Sequence, residues 1–212
     1  ASEKLARQGY SNVHILEGGF EAASTVLPVE KGQPLPEHHT APDGRFTLDL
    51  EESRCEWTGR NLLNKHSGTV EFSSGHLDFK KGELTGGEII LNMKAITCSD
   101  LEGTPMHQVL IDHFESDDFF DVEKFPTVTI LIMKFHRGTT SADVTIKGKT
   151  HGVEIITREG LSEEGFPVAQ ASCSIDRTKW GVIYGSKKFF HRLAGHFVHD
   201  EIELDLRIVT KG

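Results

Sequence analysis

The sequence has little cysteine, no excess of positive charge and no long apolar run. Its 212 residues include only Cys55, Cys98 and Cys173, and an odd number spaced this widely excludes a disulfide framework and a zinc-finger pattern. No uninterrupted apolar run approaches the roughly 20 residues of a membrane-spanning helix. The formal net charge is −9, which argues against a binder of nucleic-acid backbones, since such proteins need clustered lysine and arginine.

Tryptophan and tyrosine are also scarce, with two of each, whereas there are 13 phenylalanines. This balance favours an apolar interior over a surface that stacks sugars or bases. Hydrophobic residues make up 37% of the chain, which is enough for a core. The length allows one large domain, or one domain with an appendage.

From Gly44 onward, short segments alternate hydrophobic and polar residues, as half-buried β-strands do. Gly86 and Gly87 lie inside one segment, where paired glycines indicate a bulge or a bend at a barrel corner. The segment 128–135 is apolar on both faces, which indicates either a central strand covered on both sides or a strand at an interface. Eight to ten such segments without a helical layer predict a single antiparallel β-barrel, whose interior is either packed or holds one small ligand.

The alternation stops between residues 94 and 125. An acidic segment, residues 113–126, carries four phenylalanines, and each gains roughly 1.5–3 kcal/mol only when it is buried. We therefore predict that this segment folds as a lid over the barrel rim; a short surface helix with an apolar face is the alternative. A second long connection, residues 176–200, is of a length that usually has a function or moves. Met106, Val109, Leu110 and Phe114 recur at the spacing of one helix face, which predicts a helix that leads into the lid segment.

Residues 1–32 differ from the rest and predict a small α/β appendage. A Gly-Tyr-x-Asn-Val strand leads into a Leu-x-Gly-Gly-x-x-Ala turn, and this resembles the C-terminal end of a rhodanese domain. An ordinary helix–strand arm is the alternative. The rhodanese active-site loop would lie upstream, and none of the three cysteines stands in such a loop, so no sulfurtransferase activity is inferred. Residues 33–43 contain three prolines and are interpreted as a linker.

A series of short motifs runs through the predicted barrel. The motifs are Trp57-Thr58-Gly59, His66-Ser67-Gly68, Ser74-Gly75-x-Leu77-x-Phe79 followed by Gly86-Gly87, His113-Phe114-x-Ser116-x-Asp118-Phe119-Phe120-Asp121 ending in Phe125-Pro126, Val144-Thr145-Ile146-Lys147-Gly148-x-Thr150, and Asp176-Arg177-x-x-Trp180-Gly181. With these motifs in this order, residues 44–212 resemble the YceI family, the lipocalin-like polyisoprenoid-binding proteins.

The resemblance implies an extended antiparallel barrel whose apolar tunnel takes a long isoprenoid chain, in a protein that is often a homodimer. Without this resemblance, inward-facing apolar residues would more often belong to a packed hydrophobic core than to the wall of a cavity. The predicted tunnel lining is Phe46, Leu48, Trp57, Val70, Phe72, Leu91, Met93, Val144, Ile146, Leu204 and Leu206. The predicted lid and mouth residues are Phe114, Phe119, Phe120, Arg177 and Trp180.

The polar candidates do not indicate an enzyme. His113 and the acidic residues after it could form a catalytic pair, but no nucleophile or glycine-rich elbow accompanies them. We therefore expect Ser116 or Asp117 to cap a short helix through its backbone N–H groups. His66 is expected to hydrogen-bond backbone, and Asp176 and Arg177 to form an ion pair that fixes the second long connection.

Three late histidines, His191, His196 and His199, are spaced so that a curled loop could bring them to one metal ion. Surface histidines near the start of a strand are the commoner explanation, so no metal is assigned. No cofactor is expected either, apart from a bound isoprenoid lipid or quinone.

These observations predict a non-enzymatic carrier of a polyisoprenoid or similar long-chain lipid, such as a quinone or a prenyl phosphate. The alternative is a stress-related sulfur or redox module that acts with a rhodanese domain outside this chain. We expect a homodimer without nucleic acid. Free cysteines and the rhodanese-like stretch favour the cytoplasm, and the periplasm is the alternative if an N-terminal signal was removed.

Overall fold

The computed structural model describes residues 41–190 and 197–212. The predicted appendage (residues 1–32), most of the linker, His191 and His196 lie outside these residues, so the predictions for them stay predictions. The described residues form one helix, α1 (Pro105–Glu115), two short 3-10 turns, Ser99–Leu101 and Arg177–Trp180, and nine strands. The strands are β1 (Gly44–Leu48), β2 (Arg54–Arg60), β3 (Lys65–Lys80), β4 (Glu83–Ile96), β5 (Thr127–His136), β6 (Thr139–Ile146), β7 (Lys149–Leu161), β8 (Pro167–Asp176) and β9 (Glu201–Lys211).

The strands form one antiparallel sheet that closes on itself. Each strand from β2 to β9 pairs with the next, and β9 pairs back with β2, with Trp57 opposite Leu204. β1 lies between the same two neighbours, because it pairs with β3 and, at Leu48 and Thr210, with β9. β1 and β2 therefore share one position in an eight-stranded barrel. This confirms the predicted all-β, lipocalin-like barrel.

The glycine pair on β4 marks an irregularity, as predicted. Gly86 lies opposite Asp78, but the next pair along the ladder is Phe79 with Leu84, so the register shifts there. Gly87 has a φ of 155°, and a Cβ atom at this position would lie 2.5 Å from the carbonyl oxygen of His76. A side chain at Gly87 would force β3 and β4 apart, so only glycine fits.

The two faces of β5 differ in burial. Val128, Ile130 and Ile132 point into the barrel and are buried. Leu131 and Met133 are 43% and 54% exposed on the outer face. Among the described elements none packs on the outside of β5, so these elements do not cover its outer face. The interpretation as an interface strand stays a prediction.

Helix α1 forms where helical spacing was predicted, but with a different buried face. Ile111 and Phe114 are buried and Leu110 is partly buried, whereas Met106 and Val109 are each 56% exposed. The apolar residues of α1 cover more than one face, and only the stripe that points at the barrel can be buried. Within the described ranges, no helix combines the length and apolar character needed to cross a bilayer.

The acidic segment after α1 continues as turns packed against the helix. Phe120 N donates to Phe114 O at 3.1 Å, and Val122 N donates to Glu115 O at 2.9 Å. Ser116 stands at the C-terminal cap of α1, where its Oγ donates to His113 O at 2.7 Å. The expectation of an N-terminal cap from Ser116 or Asp117 is therefore wrong, because the helix begins at Pro105 and ends at Glu115, just before these residues.

Candidate functional site

The barrel contains a cavity of about 270 Å³ at one end. This is the end at which β2 meets β3, β8 meets β9, and α1 with the lid segment lies across the opening; we call it the α1 end. Most of the wall consists of apolar side chains that point inward from β2 to β9. Besides the residues discussed below, the wall includes Cys55, Gly59, Ile96, Leu110, Val128, Ile130, Val153, Ile155, Cys173, Ile175, Val182, Val198 and Ile202.

Sequence alternation predicted much of this wall. Strand residues alternate between the barrel interior and the outside, so the inward positions of a strand are known once its face is known. Eight of the eleven predicted lining residues face the cavity: Trp57, Val70, Leu91, Met93, Val144, Ile146, Leu204 and Leu206.

The three other predicted lining residues lie outside the cavity wall. Phe46, Leu48 and Phe72 are buried, but they belong to the packed part of the barrel. At the end opposite α1, the Phe46 ring packs against Phe79 and Phe166, with ring centroids 6.1 Å and 6.4 Å apart. Alternation gives the face of a residue but not its depth along the barrel, which is why it placed these three residues inside the barrel but did not place them outside the reach of the cavity.

The aromatic residues of the lid segment form the roof of the cavity. Phe114, Phe119 and Phe120 all line it, and Phe114 contacts Trp57 edge-on with ring centroids 5.2 Å apart. Phe119 packs against both of the other phenylalanines, at 5.1 Å and 5.0 Å. The burial of these rings gives the segment its position across the barrel opening.

Trp180, which was predicted at the mouth, does not line the cavity. Its side chain is 1% exposed, and its Nε1 donates to the carbonyl oxygen of Val144 at 3.0 Å. The indole also packs edge-on against His151. Trp180 therefore ties the start of the second long connection to β6 and β7.

Arg177 does line the cavity, and it is 1% exposed. Its guanidinium donates to four backbone carbonyl oxygens that lie on both sides of the undescribed residues 191–196. Its ring partner is Phe119, with the guanidinium carbon 5.5 Å from the centroid. Burial lowers the pKa of Arg177, although Asp200 and Asp176 oppose this shift. The carbonyl acceptors are those of Val182 (2.7 Å), Tyr184 (2.7 Å), His199 (3.0 Å) and Val198 (3.2 Å).

The predicted ion pair between Asp176 and Arg177 is wrong. Asp176 instead accepts from Thr178 N at 3.0 Å and pairs with Lys188 at 2.7 Å. The carboxylate near Arg177 is that of Asp200, at 3.9 Å. Adjacent residues at a strand end point in different directions, which is why sequence neighbours here take different partners.

Polar side chains collect at the α1 end of the wall, and sequence reasoning missed most of them. Arg60 pairs with Glu203 at 3.1 Å, and His66 Nδ1 lies 2.8 Å from Asp100 Oδ2. His66 was expected to bond backbone, but its partner is this carboxylate. Burial raises the pKa of Asp100, but hydrogen bonds from Ser67 N, His66 and Cys98 together bring it below its ordinary value.

Two clusters of side chains are candidates for metal binding. The ligand atoms of His66, Cys98 and Asp100 lie within 4.8 Å of one another, a spacing that a metal ion could use. The hydrogen bonds that Asp100 accepts, including one from Cys98 Sγ at 3.4 Å, account for this arrangement without an ion. Of the three late histidines only His199 is described, and its ring packs on Phe197 with centroids 4.8 Å apart.

The three thiols are expected to react slowly in the folded protein. Burial raises the pKa of Cys55 to about 12 and the pKa values of Cys98 and Cys173 to about 11. The thiolate is the reactive form, so iodoacetamide should label the protein rapidly only after denaturation. Mass spectrometry over the time course measures this directly. Fast single labelling of the native protein would contradict the prediction and identify an accessible thiolate.

The comparisons with known proteins agree with this geometry. The family described as YceI-like domain matches residues 46–210. A crystal structure of BcnA from Burkholderia cenocepacia has a TM-score of 0.61 at 16% identity, and the match covers 76% of this chain and 98% of that chain. A domain from Saccharophagus degradans, described as a polyisoprenoid binding domain implicated in plant cell wall breakdown, has a TM-score of 0.56 at 10% identity, covering 79% and 98%.

At these identities the structural matches show a shared fold. Among curated proteins, no sequence matches this chain. The family match extends from β1 to β9 and covers well over half of the chain, which confirms the resemblance predicted from the motifs. This chain therefore belongs to the family of YceI-like domains.

Proposed function

We propose that this protein binds an isoprenoid or a similar long-chain lipid and acts as its carrier or store. The observation that carries the proposal is the distribution of polarity in the cavity. The wall is apolar in the barrel interior, and its polar side chains, such as Arg60 and His66, lie at the α1 end. A lipid with an apolar chain inside and a polar head at the opening fits this distribution. The similar domain from Saccharophagus degradans, described as polyisoprenoid binding, supports the same ligand class.

The cavity volume limits how much of the ligand is enclosed. About 270 Å³ is slightly less than the roughly 300–1,000 Å³ of typical ligand pockets. The packed rings of Phe46, Phe79 and Phe166 close the end opposite α1. A chain of many isoprene units would therefore emerge through the α1 end, whereas a short chain would be enclosed. Isoprenoid quinones and short prenyl compounds are the candidates that follow.

The cavity chemistry favours binding over catalysis. Cys55 and Cys173 line the wall, but their raised pKa values keep both thiols protonated near neutral pH. His113 Nε2 has no hydrogen-bond partner among the described residues, so His113 is not paired through this nitrogen with a nucleophile as the base of an acyl-transfer site would be. The same protonated thiols disfavour the alternative sulfur or redox role.

Native mass spectrometry of the freshly purified protein, followed by lipid extraction, tests the proposal. One isoprenoid-mass adduct per chain is the expected result. A mass equal to the bare polypeptide, with no uptake of added quinones or prenyl alcohols, would refute it.

The same spectrum reports the oligomeric state, and we propose a homodimer that covers the exposed Leu131 and Met133 of β5.

Filling the cavity should weaken lipid binding without unfolding the barrel. Cys173→Phe adds an aromatic ring at the cavity wall, and we expect lipid affinity to fall by at least about tenfold. The matched control is Ser174→Phe, because Ser174 is the next residue on β8 and is exposed on the outside. Affinity is measured by displacement of a fluorescent isoprenoid, with thermal unfolding as a check on folding. Equal affinities for a folded Cys173→Phe variant and the control would place the ligand elsewhere.

A further inference from the structure

One polar atom in the cavity wall has no hydrogen-bond partner among the residues that the structure describes. His113 lies on α1 and lines the cavity, and its Nε2 is buried without a hydrogen bond to any described residue. The imidazole is held between two aromatic rings, with centroids 4.4 Å from Tyr184 and 5.3 Å from Phe119. Buried polar atoms in proteins are nearly always hydrogen-bonded. An unpaired nitrogen in a cavity wall therefore marks where a ligand atom would complete the bonding.

The two arginines in the described part of the wall already have partners. Among the described lining residues, the permanent cations are Arg60 and Arg177. Arg60 pairs with Glu203, and Arg177 donates to four carbonyl oxygens and lies near Asp200. His66 is likewise engaged by Asp100. Within the described part of the wall, an anionic head group would lose its hydration without gaining an arginine that lacks another partner, which disfavours it strongly.

His113 itself offers a hydrogen bond rather than a charge. Burial lowers the pKa of His113, and the attraction of Asp118 only partly opposes this. The imidazole is thus neutral near neutral pH. A neutral imidazole nitrogen either donates a hydrogen bond to a carbonyl oxygen or accepts one from a hydroxyl group.

We propose that His113 Nε2 is the polar anchor of this cavity and selects isoprenoids with an uncharged oxygen head group, a carbonyl or a hydroxyl, over prenyl phosphates. This inference rests on the proposed lipid-binding function and specifies the head group. In one neutral tautomer Nε2 donates a hydrogen bond to a quinone carbonyl, and in the other it accepts one from the hydroxyl group of a prenyl alcohol. His113 would also fix the depth of the ligand, because it lies in the roof beside Phe119.

Three probes of equal chain length test the selection: farnesol, farnesyl phosphate and the hydrocarbon farnesene. Their affinities are measured by displacement of a fluorescent isoprenoid. We expect farnesol to bind about tenfold more tightly than farnesyl phosphate, because the anion loses hydration without compensation. Farnesyl phosphate binding as tightly as farnesol would overturn the inference. If none of the three binds, the proposed function itself fails, and the selection fails with it.

Two substitutions separate the hydrogen bond from ring packing. His113→Phe keeps an aromatic ring but removes the nitrogen, and it should weaken farnesol about fivefold to tenfold while leaving farnesene unchanged. His113→Gln supplies an amide and should restore part of the farnesol affinity. His107→Phe on the same helix, away from the cavity wall, is the control. Equal losses for farnesol and farnesene in His113→Phe would show a purely structural role and refute the anchor.

Discussion

Replacing Arg177 by methionine is expected to lower the free energy of unfolding by about 3–5 kcal/mol, the cost of removing one partner from a buried charged group. The guanidinium is 1% exposed and donates to four backbone carbonyl oxygens, at 2.7–3.2 Å. Methionine fills a similar length but leaves all four carbonyl groups without their donor, whereas Asp200 keeps its ion pair with Lys188 at 3.1 Å. Urea denaturation followed by circular dichroism measures the change.

The matched control is Arg207→Met on β9. The Arg207 side chain is 61% exposed, and its ion pair with Glu52 spans 3.7 Å at the surface. Such surface pairs contribute at most about 1 kcal/mol, so this variant should unfold almost as the wild type does. The stability of Arg177→Lys should lie between those of the two methionine variants, because one ammonium group cannot reach all four carbonyl oxygens. A loss below about 1 kcal/mol in Arg177→Met would contradict the role assigned to these hydrogen bonds.

Gly68→Ala is the second substitution with a large expected effect, a destabilisation of roughly 3 kcal/mol from overpacking. A Cβ atom at Gly68 would overlap the carbonyl oxygen of Thr97 and lie 2.9 Å from the Cα of Cys98, and both are backbone atoms that cannot rotate away. The same Thr97 carbonyl accepts from Trp57 Nε1 at 3.0 Å. The methyl group would therefore separate the end of β4 from β3 and disturb a cavity-lining indole.

Gly160→Ala is the control for this prediction. Gly160 lies on β7 in an ordinary backbone conformation, and a Cβ atom there would meet Val168 Cγ2 at 3.8 Å, a normal van der Waals distance. We expect a change within about 1 kcal/mol. Thermal unfolding and tryptophan fluorescence compare the two variants, since displacement of Trp57 should also change the emission of Gly68→Ala. Equal melting temperatures for both variants would disprove the close approach of β4 to Gly68.

Both sites show how the barrel supports its cavity at the α1 end. Arg177 ties together residues 182–184 and 198–199, while Gly68 and Trp57 fix the end of β4. The roof phenylalanines pack on these two fixed points, with Phe114 on Trp57 and Phe119 beneath Arg177. Loss of either support should therefore weaken lipid binding as well as stability.

The sequence by itself determined the barrel and most of the inward side chains. Alternation with a period of two specifies which face of each strand is buried, so Val144 and Ile146 could be placed inside without a structure. The same signal was present on β7 for Val153 and Ile155, which also line the cavity and were not singled out. The motif around Phe114 and Phe119 likewise identified the segment that covers the opening.

Only the tertiary structure decided where along the barrel the cavity begins and ends. Phe46 and Trp57 have the same pattern in sequence, yet one packs among rings at the closed end and the other faces the cavity. Depth depends on strand register and tilt, which local periodicity does not encode. The carbonyl partners of Arg177 come from segments distant in the chain, and the burial of His113 Nε2 depends on such segments too. Both could therefore be identified only from the folded structure.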